Sequence, residues 1–141
     1  MSKLIITSGY YEILHHGHIE CLQKSKKLGD FLVVIVNNDI QAKNKKGHVV
    51  MPENSRKIIV SELKCVDHVV ISIDTDATVC RSIEWVYKWF GNRYDEVIFT
   101  KGGDRYSNEI PEKKICDKLG IKIIDGLGAK IDSSSNYYIK K

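Results

Sequence analysis

The sequence predicts an α/β fold in which one sheet of five parallel strands is covered by helices on both faces. Three observations predict it. Short runs rich in β-branched residues alternate with helix-like segments along the chain, no domain boundary or internal repeat interrupts the alternation, and 141 residues suit one domain. Residues 1–141 are therefore read as a single unit with one site.

Leu4, Ile5, Ile6 and Thr7 read as a buried first strand and residues 31–36 as a second, both short and apolar. Between them a helix is predicted over 17–28, with Ile19, Leu22 and Leu28 inward and Gly29 as its stop. Asn37, Asn38 and Asp39, followed by Lys43, Lys45, Lys46 and Gly47, form a polar stretch that reads as a surface loop. Pro52 and Glu53 open a short helix that runs to Leu63, and residues 67–73 return as the third strand. Val79, Ile83, Val86, Tyr87 and Phe90 then make one apolar stripe at helical period. Residues 96–100 are the fourth strand. Pro111 and Gly120 frame another helix, residues 121–124 are the fifth strand, and a last short helix starts at the serines 133–135. Right-handed crossovers make this a Rossmann-like, doubly wound sheet, most simply in the order 3-2-1-4-5. Ligands of such sheets sit at the carboxyl ends of the strands, where residues 8–18, 100–104 and 126–135 fall.

Composition narrows the function classes. With 43% apolar and 28% charged residues the bulk of the chain is not disordered. No apolar run approaches the roughly 18–20 residues of a membrane span, and the opening residues are too short for a signal peptide, so a cytoplasmic protein without a membrane partner is expected. The cysteines at 21, 65, 80 and 116 contain no CxxC pair, which predicts free thiols rather than a zinc site or disulfide framework. A net charge of +4 suits a small anionic ligand and falls short of a nucleic-acid-binding patch. The first loop carries no GxGxxG, which excludes nicotinamide binding of the usual kind.

That loop runs Gly9-Tyr10-Tyr11-Glu12-Ile13-Leu14-His15-His16-Gly17-His18 and ends where the first helix starts. Amides at a helix N-terminus bind phosphate, Gly17 lets the backbone come close, and two imidazoles beside them can stabilise charge on a pentacoordinate phosphorus. Spacing alone leaves open that these histidines are incidental or bind a metal.

The stretch from Gly9 to Asp30 resembles the opening motif of the cytidylyltransferase-like nucleotidyltransferases, with its His-x-Gly-His, in particular glycerol-3-phosphate cytidylyltransferase and bacterial heptose 1-phosphate adenylyltransferase. Asn37-Asn38-Asp39, Lys46-Gly47, Glu53 with Arg56, Val66-Asp67, Lys101-Gly102-Gly103-Asp104 and Ser133-Ser134-Ser135-Asn136 are similar to further elements of that family. Glu12 stands where the family usually has aspartate, Tyr10 and Tyr11 replace Thr-Phe or Cys-Phe, and Lys130 lies where the cytidylyltransferases carry an arginine.

The resemblance implies attack of an acceptor phosphate on the α-phosphorus of CTP or ATP, with release of pyrophosphate and no covalent enzyme intermediate. It implies that His15 and His18 stabilise the transition state and that Lys46 is catalytic, on a loop free to close. Gly9, Tyr10, Tyr11, Gly17, Gly102, Asp104, Ser133, Ser134 and Ser135 would bind the nucleotide, while Asp39, Lys45 and Arg56 would meet a small phosphorylated acceptor, a sugar or polyol phosphate. Mg²⁺ would accompany the triphosphate without a protein metal site. A homodimer is also implied. His16 reads as packed or solvent-facing, Asp39 equally as a turn cap, Arg56 equally as a partner of Glu53 or Glu62, and the helical aromatics Trp85, Tyr87, Trp89 and Phe90 as core or dimer surface. Two rivals remain: a nucleotide-binding sensor or scaffold without turnover, and an aminoacyl-tRNA synthetase fragment, which the length disfavours.

Overall fold

A computed structural model describes residues 2–102 and 110–127. It contains β1 (Lys3–Gly9), α1 (His16–Lys27), β2 (Phe31–Val36), α2 (Asp39–Lys46), α3 (Glu53–Ser61), β3 (His68–Ile71), α4 (Cys80–Phe90), β4 (Glu96–Gly102), α5 (Lys113–Leu119) and β5 (Lys122–Leu127), with one 3₁₀ turn at Gly91–Arg93. The five strands form one sheet, all pairings parallel, in the order β3-β2-β1-β4-β5. The expected architecture and strand order both hold.

Strand alternation divides the core between the two faces. Ile5, Leu32, Val34, Val36 and Ile98 meet Leu22 of α1 and Val60 of α3 on one side. On the other, Leu4, Ile6, Val33, Ile35, Val97 and Phe99 meet Ile83 and Val86 of α4 and Cys116 of α5. Phe31, Trp85, Tyr87 and Phe90 pack partly buried against this second cluster, whereas Trp89 is 63% exposed.

Where the sequence reads as a surface loop, the chain forms helix α2, which corrects that expectation. Only Gln41 and Ala42 of α2 are buried, so no apolar stripe announces it. Its ends do the work instead. The Asn38 side chain accepts the Gln41 amide at 2.9 Å, Gln41 returns a bond to the Asn38 amide at 3.1 Å, and Gly47 closes the helix in the left-handed region at φ 83°. Asn38 Nδ2 also donates to the carbonyls of Ser72 and Asp74, which anchors the start of α2 to the end of β3. The third strand is shorter than predicted. Asp67 precedes it: its amide donates to the Leu32 carbonyl at 3.0 Å, but the Leu32 amide is taken by the Asp67 carboxylate at 2.8 Å. The strands at the other edge run longer, to Gly102 and Leu127. The predicted helix at 133–135 lies outside the described residues.

Burial sets the behaviour of the thiols. The Cys116 side chain is fully buried, and loss of water pushes its pKa up from 9.0 to about 12. Between those values the unfolded chain releases the proton and the folded chain keeps it, so stability is intact below pH 9 and falls as pH rises towards 12. The buried Tyr11 hydroxyl is also held above its ordinary value by desolvation and acts in the same direction. Denaturant titrations at pH 8, 9 and 10 are expected to show this fall, and Cys116→Val should make the slope shallower; an unchanged slope would refute the assignment.

Candidate active site

The loop between β1 and α1 lies at the carboxyl end of the central strand, beside the point where the chain order of the sheet reverses. Gly9 is the last residue of β1, and its lack of a side chain is a packing requirement. A Cβ there would stand 2.6 Å from Cζ of the Tyr11 ring and 2.9 Å from Cε2. Tyr11 takes a left-handed conformation, φ 52°, and its ring is buried, edge-on to His18 at 5.3 Å between centroids. The tyrosine predicted to touch nucleotide thus supports His18 through its ring. Gly9→Ala is expected to cost about 1–3 kcal/mol by overpacking, and Tyr11→Leu in the same chain should recover part of it in a thermal melt.

The two motif histidines cap α1 together. His15 is the N-cap, and its Nδ1 accepts the Gly17 amide at 3.2 Å; His18 Nδ1 accepts the His15 amide at 3.2 Å. The rings stack with centroids 3.9 Å apart and planes 21° from parallel. Because each Nδ1 is an acceptor, each neutral ring carries its proton on Nε2. A single local motif therefore makes a helix start and fixes the tautomer of two hydrogen-bond donors. No acidic residue lies in the first turn of α1, so the partial positive charge of that end is not neutralised from within the helix. His16 is exposed, in keeping with its reading.

The lysines come from the last turn of α2, a helix and not the free loop expected. Lys45 Nζ lies 4.3 Å from the centroid of the Tyr10 ring. Lys46 Nζ donates to the Glu12 carbonyl at 2.7 Å and stands 3.7 Å from the Glu12 carboxylate. Glu12 itself is 1% exposed, and its Oε2 accepts the amides of Val50 and Met51 at 2.9 and 2.7 Å. Tyr10, Lys45, Lys46 and the two histidines are thereby gathered around one loop.

Asp39 and Arg56 are placed differently from a ligand-facing pair. Arg56 is fully buried; its guanidinium donates to the carbonyls of Met51, Tyr10 and Asn37 and, at 2.9 Å, to Asp39. It pairs with neither Glu53 nor Glu62, the partners weighed from sequence. Asp39 Oδ1 also accepts the Glu53 amide at 2.9 Å, and Glu53 accepts the Asp39 amide at 2.7 Å, so the starts of α2 and α3 cap each other. Arg56 is in effect an internal clamp that grips the β1–α1 loop at Tyr10 and the end of β2 at Asn37. The burial raises the Tyr10 hydroxyl pKa, partly opposed by the Arg56 charge.

Across the sheet, β4 is joined to the same end by Thr7 Oγ1, which donates to the Thr100 carbonyl at 3.0 Å, and by a 2.8 Å bond between the Ser25 and Thr100 hydroxyls. Gly102 ends β4 and is in register with Leu127 of β5. Asp104, Ser133, Ser134 and Ser135, with Gly103, Lys130 and Asn136, lie outside the described residues. Among the described residues no group of three or more histidine, cysteine, aspartate or glutamate side chains is gathered that could hold a metal, and no helix is long and apolar enough to cross a membrane.

Comparison with known proteins agrees with the fold. The cytidylyltransferase-like family profile matches residues 6–127. The chain is 32% identical over 136 residues to an FAD synthase of Picrophilus torridus, covering 94% of this chain and 91% of that protein, and 34% identical over 136 residues to an FAD synthase of Thermoplasma volcanium, covering 94% and 89%. It is 42% identical over 111 residues to the bifunctional protein HldE of Helicobacter pylori strain Shi470, which spans 77% of this chain and 22% of that larger protein. The crystal structure of a lipopolysaccharide core biosynthesis protein from Thermoplasma volcanium superposes with a TM-score of 0.65 at 31% identity, covering 89% of this chain and 96% of that one. The profile match over most of the sequence, the near full-length relatives and the paired histidines at the head of α1 agree: the chain belongs to the cytidylyltransferase-like family of nucleotidyltransferases.

Proposed function

We propose that this protein transfers AMP from ATP to a small phosphorylated acceptor and releases pyrophosphate. An acceptor phosphate oxygen forms the new bond to the α-phosphorus while the bond from that phosphorus to the bridging oxygen of the β-phosphate breaks, and pyrophosphate carries the electrons away. The observation that carries this reading is the mutual imidazole cap, which directs two Nε2 protons from the amide-rich end of a helix, a donor set suited to charge developing on phosphate oxygens. In this reading His15 and His18 stabilise the transition state, Lys46 supplies a cation, Gly9, Tyr10, Gly17, Gly102, Asp104 and Ser133–Ser135 contribute to the nucleotide cradle, and Lys45 lies on the acceptor side. Alignment and charge stabilisation, without a covalent intermediate, then supply the rate. Magnesium would arrive with the triphosphate and take its ligands from phosphate oxygens and water.

Adenine is favoured over cytosine by the relatives: an FAD synthase builds a product that contains an adenylate, and two such proteins match nearly end to end. Their name, and that of the lipopolysaccharide protein, supply the first acceptors to try, a flavin phosphate and sugar phosphates. Pyrophosphate release should be followed with ATP and with CTP against FMN, sugar phosphates and polyol phosphates. Release with ATP on at least one acceptor is expected. Release with CTP alone would overturn the choice of base, and tight nucleotide binding without release on any acceptor would make the protein a binder.

A further inference from the structure

We propose that Glu12 is a positioning residue that holds Lys46 in place for the phosphate chemistry of the site; the inference rests on the reading above. A carboxylate that is 1% exposed is costly unless hydrogen bonds and an opposite charge compensate it. Here the compensation comes from two other segments. The turn before α3 gives the amides of Val50 and Met51 to Oε2, and the last turn of α2 gives the Lys46 ammonium, 3.7 Å from Oε1 and 2.7 Å from the carbonyl of the same residue. A lysine at the end of a helix would otherwise range over many rotamers. The Glu12 carbonyl accepts the ammonium and the Glu12 carboxylate stands 3.7 Å away as its counter-charge, so the position of the cation is referred to the same loop that carries His15 and His18. The Lys46 side chain keeps 20% of its surface exposed, which leaves an approach for an anion.

This arrangement separates a structural duty of Glu12 from an electrostatic one. Glu12→Gln keeps an oxygen able to accept the two amides, removes the charge opposite Lys46 and sets an amide nitrogen in place of Oε1. A double-mutant cycle of Glu12→Gln with Lys46→Met therefore isolates the coupling. In the otherwise unaltered protein Glu12→Gln is expected to lower kcat about tenfold while the KM for ATP moves less than about threefold; in the Lys46→Met background the same change should lower kcat less than about twofold, the difference being an ordinary coupling between neighbouring charged groups. Equal losses in both backgrounds would assign Glu12 to the fold alone and overturn the proposal. The cycle is also read on the Kd for ATP by calorimetry. If the parent protein turns over no acceptor, the activity reading fails by itself, and the Kd cycle still decides: a Kd change of about two- to threefold on Glu12→Gln that vanishes in the Lys46→Met background supports the role of Glu12, and additivity ends it. Should Glu12→Gln fail to fold at the assay temperature, Glu12→Asp, which keeps the charge and shortens its reach, takes its place in the same cycle, judged by the same comparison.

Discussion

His18→Ala is expected to lower kcat by on the order of 10²-fold or more while the Kd for the nucleotide changes far less, the signature of a donor whose contribution grows as charge develops. Two effects are mixed in that substitution, because His18 also accepts the His15 amide at the head of α1. His18→Asn separates them. Its side-chain oxygen can stand in for Nδ1 in the cap, whereas nothing replaces the Nε2 donor. Turnover should therefore collapse in both variants, while stability falls mainly with alanine, by the roughly 1 kcal/mol typical of a lost cap, read as a lower melting temperature. Unchanged turnover in His18→Asn would remove the imidazole from the mechanism.

Replacing Arg56 with methionine should have the largest effect on folding. The substitution keeps an apolar stem of similar length and removes the donors to three carbonyls and to Asp39 in a fully buried place. Breaking one side of such a cluster costs about 3–5 kcal/mol, enough to lower Tm by about 10 °C or more in a chain of this length. Asp39→Asn, which retains an oxygen for Arg56 and for the Glu53 amide, should cost much less. A loss below about 1 kcal/mol for Arg56→Met, measured by urea denaturation, would show that the carbonyls find other donors and that the clamp is incidental.

The parts of the molecule governed by apolar periodicity were legible from the sequence. Residues 4–7 and 31–36 are buried strands because their β-branched runs fit a sheet covered on both faces, and the stripe from Val79 to Phe90 packs as its spacing requires. Helix α2 carries no such stripe, and its signals lay in Asn38, Gln41 and Gly47, which are equally at home in a turn. The sequence places Arg56 against the acceptor or against Glu53 or Glu62; only the convergence of Tyr10, Asn37 and Met51 carbonyls, far apart in sequence, explains its full burial, which is rare for arginine. Glu12 stands out in the sequence only as a change from aspartate, and its link to Lys46 depends on tertiary placement that spacing does not encode. The histidines stand out in the sequence by their chemistry, whereas their mutual capping carries no local signal, since serine, threonine, aspartate and asparagine are the usual caps.

That choice of cap ties the aim of two side chains to the start of a helix in a way that a serine would not. The same Nδ1 atoms that hold the Gly17 and His15 amides decide which nitrogen of each ring carries the hydrogen, so a variant that loosens this turn also misdirects the donors.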